Sequence, residues 1–147
     1  MTFVTQEFLH RPEEGQIGDC LRAGVASVLG LELSEVPHFV EIGLKRGDRD
    51  QEEDPGMEWW NAMQAWLALR NLECWGLENL ELVEHSKFEH ILVVGKAERP
   101  NGTFEHACVG TVDGEVVHDP HPSRAGLVAV SGYLLITKLG TWASISG

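Results

Sequence analysis

The chain has 147 residues, of which 43% are hydrophobic and 23% are charged, the composition of a globular domain with a hydrophobic core of its own. Its 11 basic and 23 acidic residues give a formal net charge of -12. This charge argues against nucleic acids and anionic membranes as partners, because phosphate groups are bound by clustered Lys and Arg, and it suits a cationic partner.

The chain lacks the sequence features of export and of a disulfide scaffold. Its N-terminus, MTFVTQEFLH, has neither the charged start nor the apolar run of a signal peptide, and no apolar stretch is long enough to cross a bilayer. The cysteines Cys20, Cys74 and Cys108 are odd in number, widely spaced and contain no Cys-x-x-Cys pair. Since no linker or internal repeat divides the chain, we expect one domain over residues 1–147, located in the cytoplasm.

The first predicted element is a short helix from about Cys20 to Leu29, with Asp19 as its cap and Gly30 as its end. Apolar residues recur on one face at helical spacing, and small residues keep the other side slim, so that neighbouring elements can approach closely. This pattern predicts a central, buried helix. Residues 34–36, directly before a proline, predict a single helical turn.

An acidic segment and a tryptophan-rich helix follow. Residues 47–56, Gly-Asp-Arg-Asp-Gln-Glu-Glu-Asp-Pro-Gly, indicate a solvated surface loop. From about residue 57 to residue 72 the pattern is helical, and four of the five tryptophans lie in this helix and its exit. We expect the indoles to pack in the core; the alternative is that one of them lines a binding groove.

The C-terminal half has the period of β-strands. The predicted strands cover residues 90–95, 106–112, 115–118, 127–130 and 133–137. Asp113-Gly114 is a strong hairpin signal, and Asn101-Gly102 marks another turn between strands. The chain therefore reads as helices followed by an antiparallel sheet, which is the α+β class.

Cys20 is the first candidate for chemistry. A cysteine in the first turn of a helix meets unpaired backbone N–H groups and the positive end of the helix dipole, and both favour the thiolate. The negative charge of the adjacent Asp19 opposes this effect, so a cationic partner is needed, and an imidazolium is the best one available.

His106 and Asp119 supply the partner and its support. Symmetric pairing about the Asp113-Gly114 turn places His106 opposite position 121, close to Asp119, and Pro120 ends that strand. Asp119 can then accept a hydrogen bond from one nitrogen of the imidazole while the other nitrogen faces Cys20. A nucleophile, a base and an orienting carboxylate form a catalytic triad.

These residues resemble those of the papain-like cysteine peptidases, most closely the compact bacterial branch related to double-glycine leader peptidases. The resemblance rests on Asp19-Cys20 at the start of a central helix, on His106-Ala-Cys-Val at the start of a strand, and on Asp119-Pro120 at the end of the next one. It spans roughly residues 16–120. It implies a papain-like fold in which the Cys-bearing helix packs on the C-terminal sheet, and the catalytic residues Cys20, His106 and Asp119.

The chain departs from the family pattern in two places. Family members usually carry a Gln about six residues before the Cys, which donates to the oxyanion, whereas position 14 here is Glu. Gln16 is the candidate for this role, together with the Cys20 backbone N–H, and Gln6 is the alternative. The common Gly after the Cys is replaced by Leu21.

The remaining cysteines and histidines have structural interpretations. Cys74 and Cys108 are expected as buried small hydrophobic residues, with Cys108 on the face of the strand that carries His106. His118 and His121 could be drawn with Cys20 as a zinc site, but the chain has no Cys-x-x-Cys or His-Glu-x-x-His pattern, and we expect no metal and no cofactor.

Three functions remain open. The first is a thiol hydrolase that attacks a peptide or related amide bond through Cys20 and forms a thioester. The second is a cell-wall amidase of NlpC type, which the absent signal peptide and wall-binding module oppose unless a phage releases it by lysis. The third is a non-catalytic binding or inhibitory protein on a peptidase scaffold. The expected partner of the hydrolase is a peptide or protein substrate, and the net charge of the chain favours a cationic one.

Overall fold

The computed structural model of the protein describes residues 3–47 and 56–140. The first half of this part of the chain contains the helices α1 (Cys20–Leu29), α2 (Phe39–Gly47) and α3 (Gly56–Ala68), with short 3-10 turns at Pro12–Glu14 and Leu33–Glu35. The second half contains the strands β1 (Leu72–Leu77), β2 (Ile91–Arg99), β3 (Gly102–Gly110), β4 (Val116–His118) and β5 (Ala129–Lys138), and a 3-10 turn at His85–Lys87. None of the described helices combines the length and the apolar composition needed to span a membrane.

The strands form one antiparallel sheet in the order β1-β5-β2-β3-β4. Alternate residues of each strand point to opposite faces, and the apolar ones form two clusters. Leu92, Val109 and Leu134 pack with the helices, whereas Ile91, Val93 and Leu135 pack with Val83 and Val112. The predicted α+β class is confirmed.

Helix α1 is the central, buried helix that the sequence predicts. It begins at Cys20 and ends before Gly30, whose φ of 70° places it in the left-handed region. Its slim side permits close contact with the sheet: a Cβ on Gly24 would lie 2.7 Å from Cδ2 of Leu92. Six of its residues are buried: Leu21, Ala23, Gly24, Val25, Ala26 and Ser27.

Asp19 occupies the N-cap position of α1, but the prediction that it caps the helix is wrong. Its carboxylate instead accepts the backbone N–H groups of Glu7 and Phe8, at 3.3 and 2.8 Å. The side chain is fully buried and ties the N-terminal segment to the start of α1. The reason is that the incoming segment offers two unpaired N–H groups beside the helix end.

The middle of the chain differs most from the predictions. The helix predicted for residues 57–72 is α3, which ends at Ala68. The residues after it form β1, which the sequence did not predict. Gln64 closes this junction, because its amide both donates to and accepts from the backbone of Cys74, at 2.8 and 2.9 Å. Helix α2 was also not predicted, and the predicted acidic loop lies for the most part outside the described residues.

The hairpin that carries His106 follows the predicted turns and register, but the prediction that His106 opens a strand is wrong: β3 begins at Gly102, directly after the turn, and His106 lies within the strand. β2 and β3 are joined at Asn101-Gly102, and β3 and β4 at Asp113-Gly114. Val109 pairs with His118, which is the symmetric register expected from the sequence, and a bulge shifts the register between Val109 and Gly110. The two strands predicted for residues 127–137 are one strand, β5.

Candidate active site

A cleft of about 1080 Å³ lies where the N-terminal segment, the start of α1, helix α3 and the strands β2 and β3 meet. Both Cys20 and His106 line it. Its walls are mostly apolar, and Trp59 and Trp60 are among them. These two indoles are half-buried, so both the expected packing in the core and the alternative of a groove wall describe them. The other apolar wall residues include Leu9, Ile17, Leu21, Val40, Val94, Ala97, Phe104 and Leu134.

The Cys20 thiol sits at the first residue of α1 and is partly accessible. Its interaction with the His106 imidazole is among the effects that raise the pKa of His106. The N–H groups of a first helical turn have no acceptors within the helix, so the sulfur is also next to the positive end of α1. Cys20 therefore combines an accessible sulfur with a cationic neighbour and a helix N-terminus.

His106 and Asp119 form a buried pair. Nε2 of His106 lies 2.6 Å from Oδ1 of Asp119, and the two residues are 8% and 4% exposed. Because Nε2 is bonded to the carboxylate, Nδ1 is the nitrogen left for a thiol. The geometry of this pair is the one expected from the hairpin register.

The electrostatics of the pair favour its ionised form. Burial alone would lower the pKa of His106, but the hydrogen bonds to Asp119, Cys108 and Cys20 outweigh burial and raise it to about 11. Burial would likewise raise the pKa of Asp119, but hydrogen bonds from His106 and from the backbone N–H groups of His121 and Gly126 hold it well below its usual range. An imidazolium thus lies between a carboxylate and a thiol at neutral pH.

The segment after β4 holds Asp119 in place. The His121 N–H donates to Oδ1 at 2.9 Å, and the Gly126 N–H donates to Oδ2 at 2.7 Å. Arg124 donates to the Asp119 carbonyl at 2.5 Å and to the Thr5 hydroxyl at 2.6 Å. The carboxylate is therefore oriented by backbone contacts that do not depend on the imidazole.

The two glutamine candidates occupy different places. Gln16 donates to the Leu9 carbonyl at 2.7 Å and is not among the residues that line the cleft. Gln6 does line the cleft, is 7% exposed, and donates to the Phe8 carbonyl at 2.7 Å. The Gln6 backbone N–H also donates to the carbonyl of Pro120 at 3.0 Å, which brings the residue next to Asp119.

Arg22 is a structural residue that the sequence interpretation missed. Its side chain is only 15% exposed, so it is not a solvated charge on the helix surface. It donates to the Val36 carbonyl at 2.6 Å and pairs with Glu7 and Asp19, at 3.2 and 3.4 Å. The spacing of Asp19 and Arg22, three residues apart on one helix, was the available signal.

Cys74 and Cys108 are both buried, as predicted. Burial raises the pKa of Cys74 to about 12. Cys108 is fully buried in β3, and burial also raises its pKa, although its sulfur contacts the His106 imidazole. This contact matches the expectation that Cys108 shares the face of β3 that carries His106.

One cluster among the described residues has the composition of a metal site. The ligand atoms of His106, Cys108 and Asp119 lie within 4.8 Å of one another. The His106–Asp119 distance of 2.6 Å is that of a hydrogen bond, and two ligands about 2.0 Å from one tetrahedral Zn²⁺ stand farther apart. The zinc site considered from the sequence, Cys20 with His118 and His121, does not form a cluster among the described residues. His118 bonds to the Val4 carbonyl and His121 to Ser123.

No protein-family model matches this chain, and neither the curated proteins nor the solved structures include a match to it. The chemistry of the site therefore rests on its own geometry. An accessible thiol, an imidazolium and a buried carboxylate in an apolar cleft can perform nucleophilic attack with general acid–base assistance.

Proposed function

We propose that the protein is a cysteine hydrolase that cleaves a peptide or related amide bond, with a papain-like arrangement of helix and sheet. The observation that supports this most is the continuous series Cys20, His106 and Asp119, with the thiol at a helix N-terminus and in a cleft. The contact of His106 with Cys20 and its 2.6 Å hydrogen bond to Asp119 give the base one partner on each side. This is the arrangement that triad chemistry requires.

The reaction begins with attack of the Cys20 thiolate on the amide carbonyl. The carbon–sulfur bond forms, and the carbonyl π electrons move to the oxygen, which becomes an oxyanion. When the tetrahedral intermediate collapses, the imidazolium of His106 gives its proton to the leaving nitrogen and the C–N bond breaks. His106, now neutral, accepts a proton from the water that hydrolyses the thioester, and Asp119 holds the ring in place throughout.

Two N–H donors are positioned to stabilise the oxyanion in this proposal. One is the backbone N–H of Cys20, which has no acceptor within α1 because it belongs to the first turn. The other is the side-chain amide of Gln6, which lines the cleft and uses one of its two N–H groups on the Phe8 carbonyl. We assign the role to Gln6 rather than Gln16, since only Gln6 lines the cleft.

The substrate in this proposal is a peptide or protein, and no cofactor takes part. The largely apolar cleft favours apolar side chains near the scissile bond. The net charge of -12 favours substrates that are cationic elsewhere along their length. The cell-wall amidase and the non-catalytic binding protein are the competing functions, and both are outcomes of the same experiment.

The experiment is substrate profiling of the purified protein against the Cys20→Ala variant. A peptide library and soluble peptidoglycan fragments are incubated with each, and new termini are identified by mass spectrometry. We expect cleavage of peptides by the wild type alone. Cleavage of peptidoglycan fragments alone would indicate the amidase, and cleavage of neither would contradict catalysis. One equivalent of zinc per chain in elemental analysis would favour the metal site instead.

A further inference from the structure

Two residues that line the cleft carry a buried polar side-chain atom with no hydrogen-bond partner among the described residues. They are Gln6, through its acceptor Oε1, and Arg99, through its donor Nη2. Buried polar atoms in folded proteins are nearly always paired, so an unpaired donor and an unpaired acceptor in the walls of one cleft point to a ligand. Arg99 is the stronger signal, because an unmade hydrogen bond of a charged group costs more than one of a neutral group.

Arg99 is the last residue of β2, and its side chain is 12% exposed. Its Nη1 donates to the Glu98 carbonyl at 2.9 Å. Its Nη2 lies 3.9 Å from Oδ2 of Asp119, which is too far for a hydrogen bond, and that oxygen already accepts the Gly126 N–H. The guanidinium is therefore paired in charge with Asp119, but it keeps one N–H without an acceptor among the described residues.

His121 supplies a second donor beside Arg99. The Ser123 backbone N–H donates to Nδ1 of His121 at 3.0 Å, so the proton of the neutral ring is on Nε2. Burial, together with the positive charge of Arg99, lowers the pKa of His121 and keeps this ring neutral. His121 lines the cleft, and its Nε2 has no hydrogen bond among the described residues.

We propose that Arg99 and His121 form a carboxylate subsite of the cleft, beside the His106–Asp119 pair. The inference rests on the proposed hydrolase function and names its substrate class, namely amides that carry a carboxylate close to the scissile bond. A guanidinium and an imidazole N–H match the two oxygens of one carboxylate.

A substrate can supply this carboxylate in two ways, as the C-terminal carboxylate of a peptide or as an acidic side chain next to the scissile bond. The subsite prefers a negative group, whereas the net charge of the chain favours a substrate that is cationic as a whole. The acidic wall residue Glu105 does not oppose it, because its carboxylate pairs with Lys96 at 2.5 Å.

The test compares two alkylating reagents of similar size, iodoacetate and iodoacetamide, at Cys20. The rate of each is measured by mass spectrometry in the wild type and in Arg99→Gln, and the iodoacetate/iodoacetamide ratio is calculated for each protein. We expect the ratio to fall by about tenfold in Arg99→Gln, the value of one charge-assisted hydrogen bond. Arg11→Gln is the matched control, since Arg11 also lines the cleft but is 49% exposed and pairs with Glu14, and its ratio should stay near that of the wild type.

The ratio separates a binding role for Arg99 from a positioning role through Asp119. A positioning role would slow both reagents equally and leave the ratio unchanged, and this result would overturn the subsite while leaving the hydrolase proposal intact. Failure of Cys20 to react with iodoacetamide faster than Cys74 and Cys108 in the wild type would instead count against the hydrolase.

A second measurement uses the wild type alone, so it does not depend on how Arg99→Gln folds. Three compounds are tested for protection of Cys20 from iodoacetamide: N-acetylglycine, the α-amide of N-acetylaspartic acid, and N-acetylglycinamide as the neutral control. Protection by the first indicates a C-terminal carboxylate, and protection by the second an acidic side chain. Equal protection by all three, or none by any, would overturn the subsite.

Discussion

Two thiols contact the same imidazole in this protein, and their surroundings differ. Cys20 lies at the N-terminus of α1, is partly accessible and lines the cleft. Cys108 lies within β3, is fully buried, and burial raises its pKa. The contact with His106 is common to both, so it cannot by itself select the nucleophile.

The difference between the two thiols lies in the backbone and in access. At the start of α1 the unpaired N–H groups face the sulfur, whereas in the middle of a strand the N–H groups bond to neighbouring strands. A substrate carbonyl can approach only a sulfur that lines the cleft. In the proposed reaction Cys20 is therefore the nucleophile, whereas Cys108 packs in the core.

The largest expected effect comes from removing each thiol in turn. Cys20→Ala should lower kcat/KM for the best peptide substrate by about 10⁴-fold or more, because no other thiol lines the described part of the cleft beside His106. Cys108→Ala should leave kcat/KM within about threefold and cost about 1 kcal/mol of unfolding free energy for the small cavity it leaves. Steady-state kinetics and urea denaturation provide the measurements. Equal losses of activity in the two variants would remove the distinction between the thiols.

Asp119 supports the difference between the thiols through His106. Asp119→Ala should slow both the hydrolysis of substrate and the alkylation of Cys20 by about 10²-fold, because the imidazole loses its orienting acceptor and the charge that stabilises the imidazolium. The rates of Asp119→Asn, which keeps an acceptor, should fall between those of the wild type and of Asp119→Ala. Asp113→Ala removes an exposed carboxylate from the same hairpin and is the control. An unchanged rate in a folded Asp119→Ala protein would mean that Asp119 does not orient His106.

The sequence predicts the elements whose ends are marked locally. Gly30 ends α1, and the Asn101-Gly102 and Asp113-Gly114 turns join the strands around His106, so the bounds of the helix and the turns of the hairpin are predicted correctly, although β2 and β3 each extend four residues further towards their shared turn than predicted. The position of Asp119 next to His106 follows from that hairpin register. These features depend on residues close together in the chain, and this is why a single sequence reveals them.

The parts that the sequence did not reveal depend on distant contacts. β1 pairs with β5, about sixty residues away, and its Cys-Trp-Gly stretch has no alternation that marks a strand. Gln6 is brought to the cleft by the burial of Asp19, which binds the N-terminal segment, and by a backbone bond to Pro120. Neither the spacing of Gln6 from Cys20 nor its neighbours in the chain indicates this position.

The two glutamines offer a smaller test of the environment of Cys20. Gln6→Ala should lower kcat by about 10²-fold with little change in KM, the usual cost of losing one oxyanion donor. Gln16→Ala is the matched control, and it should leave kcat near the wild-type value, because this side chain bonds to the Leu9 carbonyl outside the cleft. The opposite pattern would return the role to Gln16.

The pH dependence of stability tests the ionised state of His106, independently of any substrate. Because the folded-state pKa of His106 is raised to about 11, its contribution is complete below the unfolded-state pKa of about 6.5 and is lost as pH rises towards 11. The unfolding free energy should fall by up to about 1.4 kcal/mol per pH unit in this window. His106→Gln should flatten the slope, as measured by urea denaturation at pH 6, 7.5 and 9. Equal slopes would show that His106 has no raised pKa.

The most direct test of the account is the order in which the three thiols react. The folded wild-type protein is treated with substoichiometric iodoacetamide near pH 6, where ordinary thiols are almost fully protonated, and each site is quantified by peptide mass spectrometry. We predict that Cys20 is modified at least about tenfold faster than Cys108 and Cys74, since it alone combines the His106 contact with a helix N-terminus and access from the cleft. Equal rates at the three sites, or no reaction at Cys20, would contradict the assignment of Cys20 as the nucleophile.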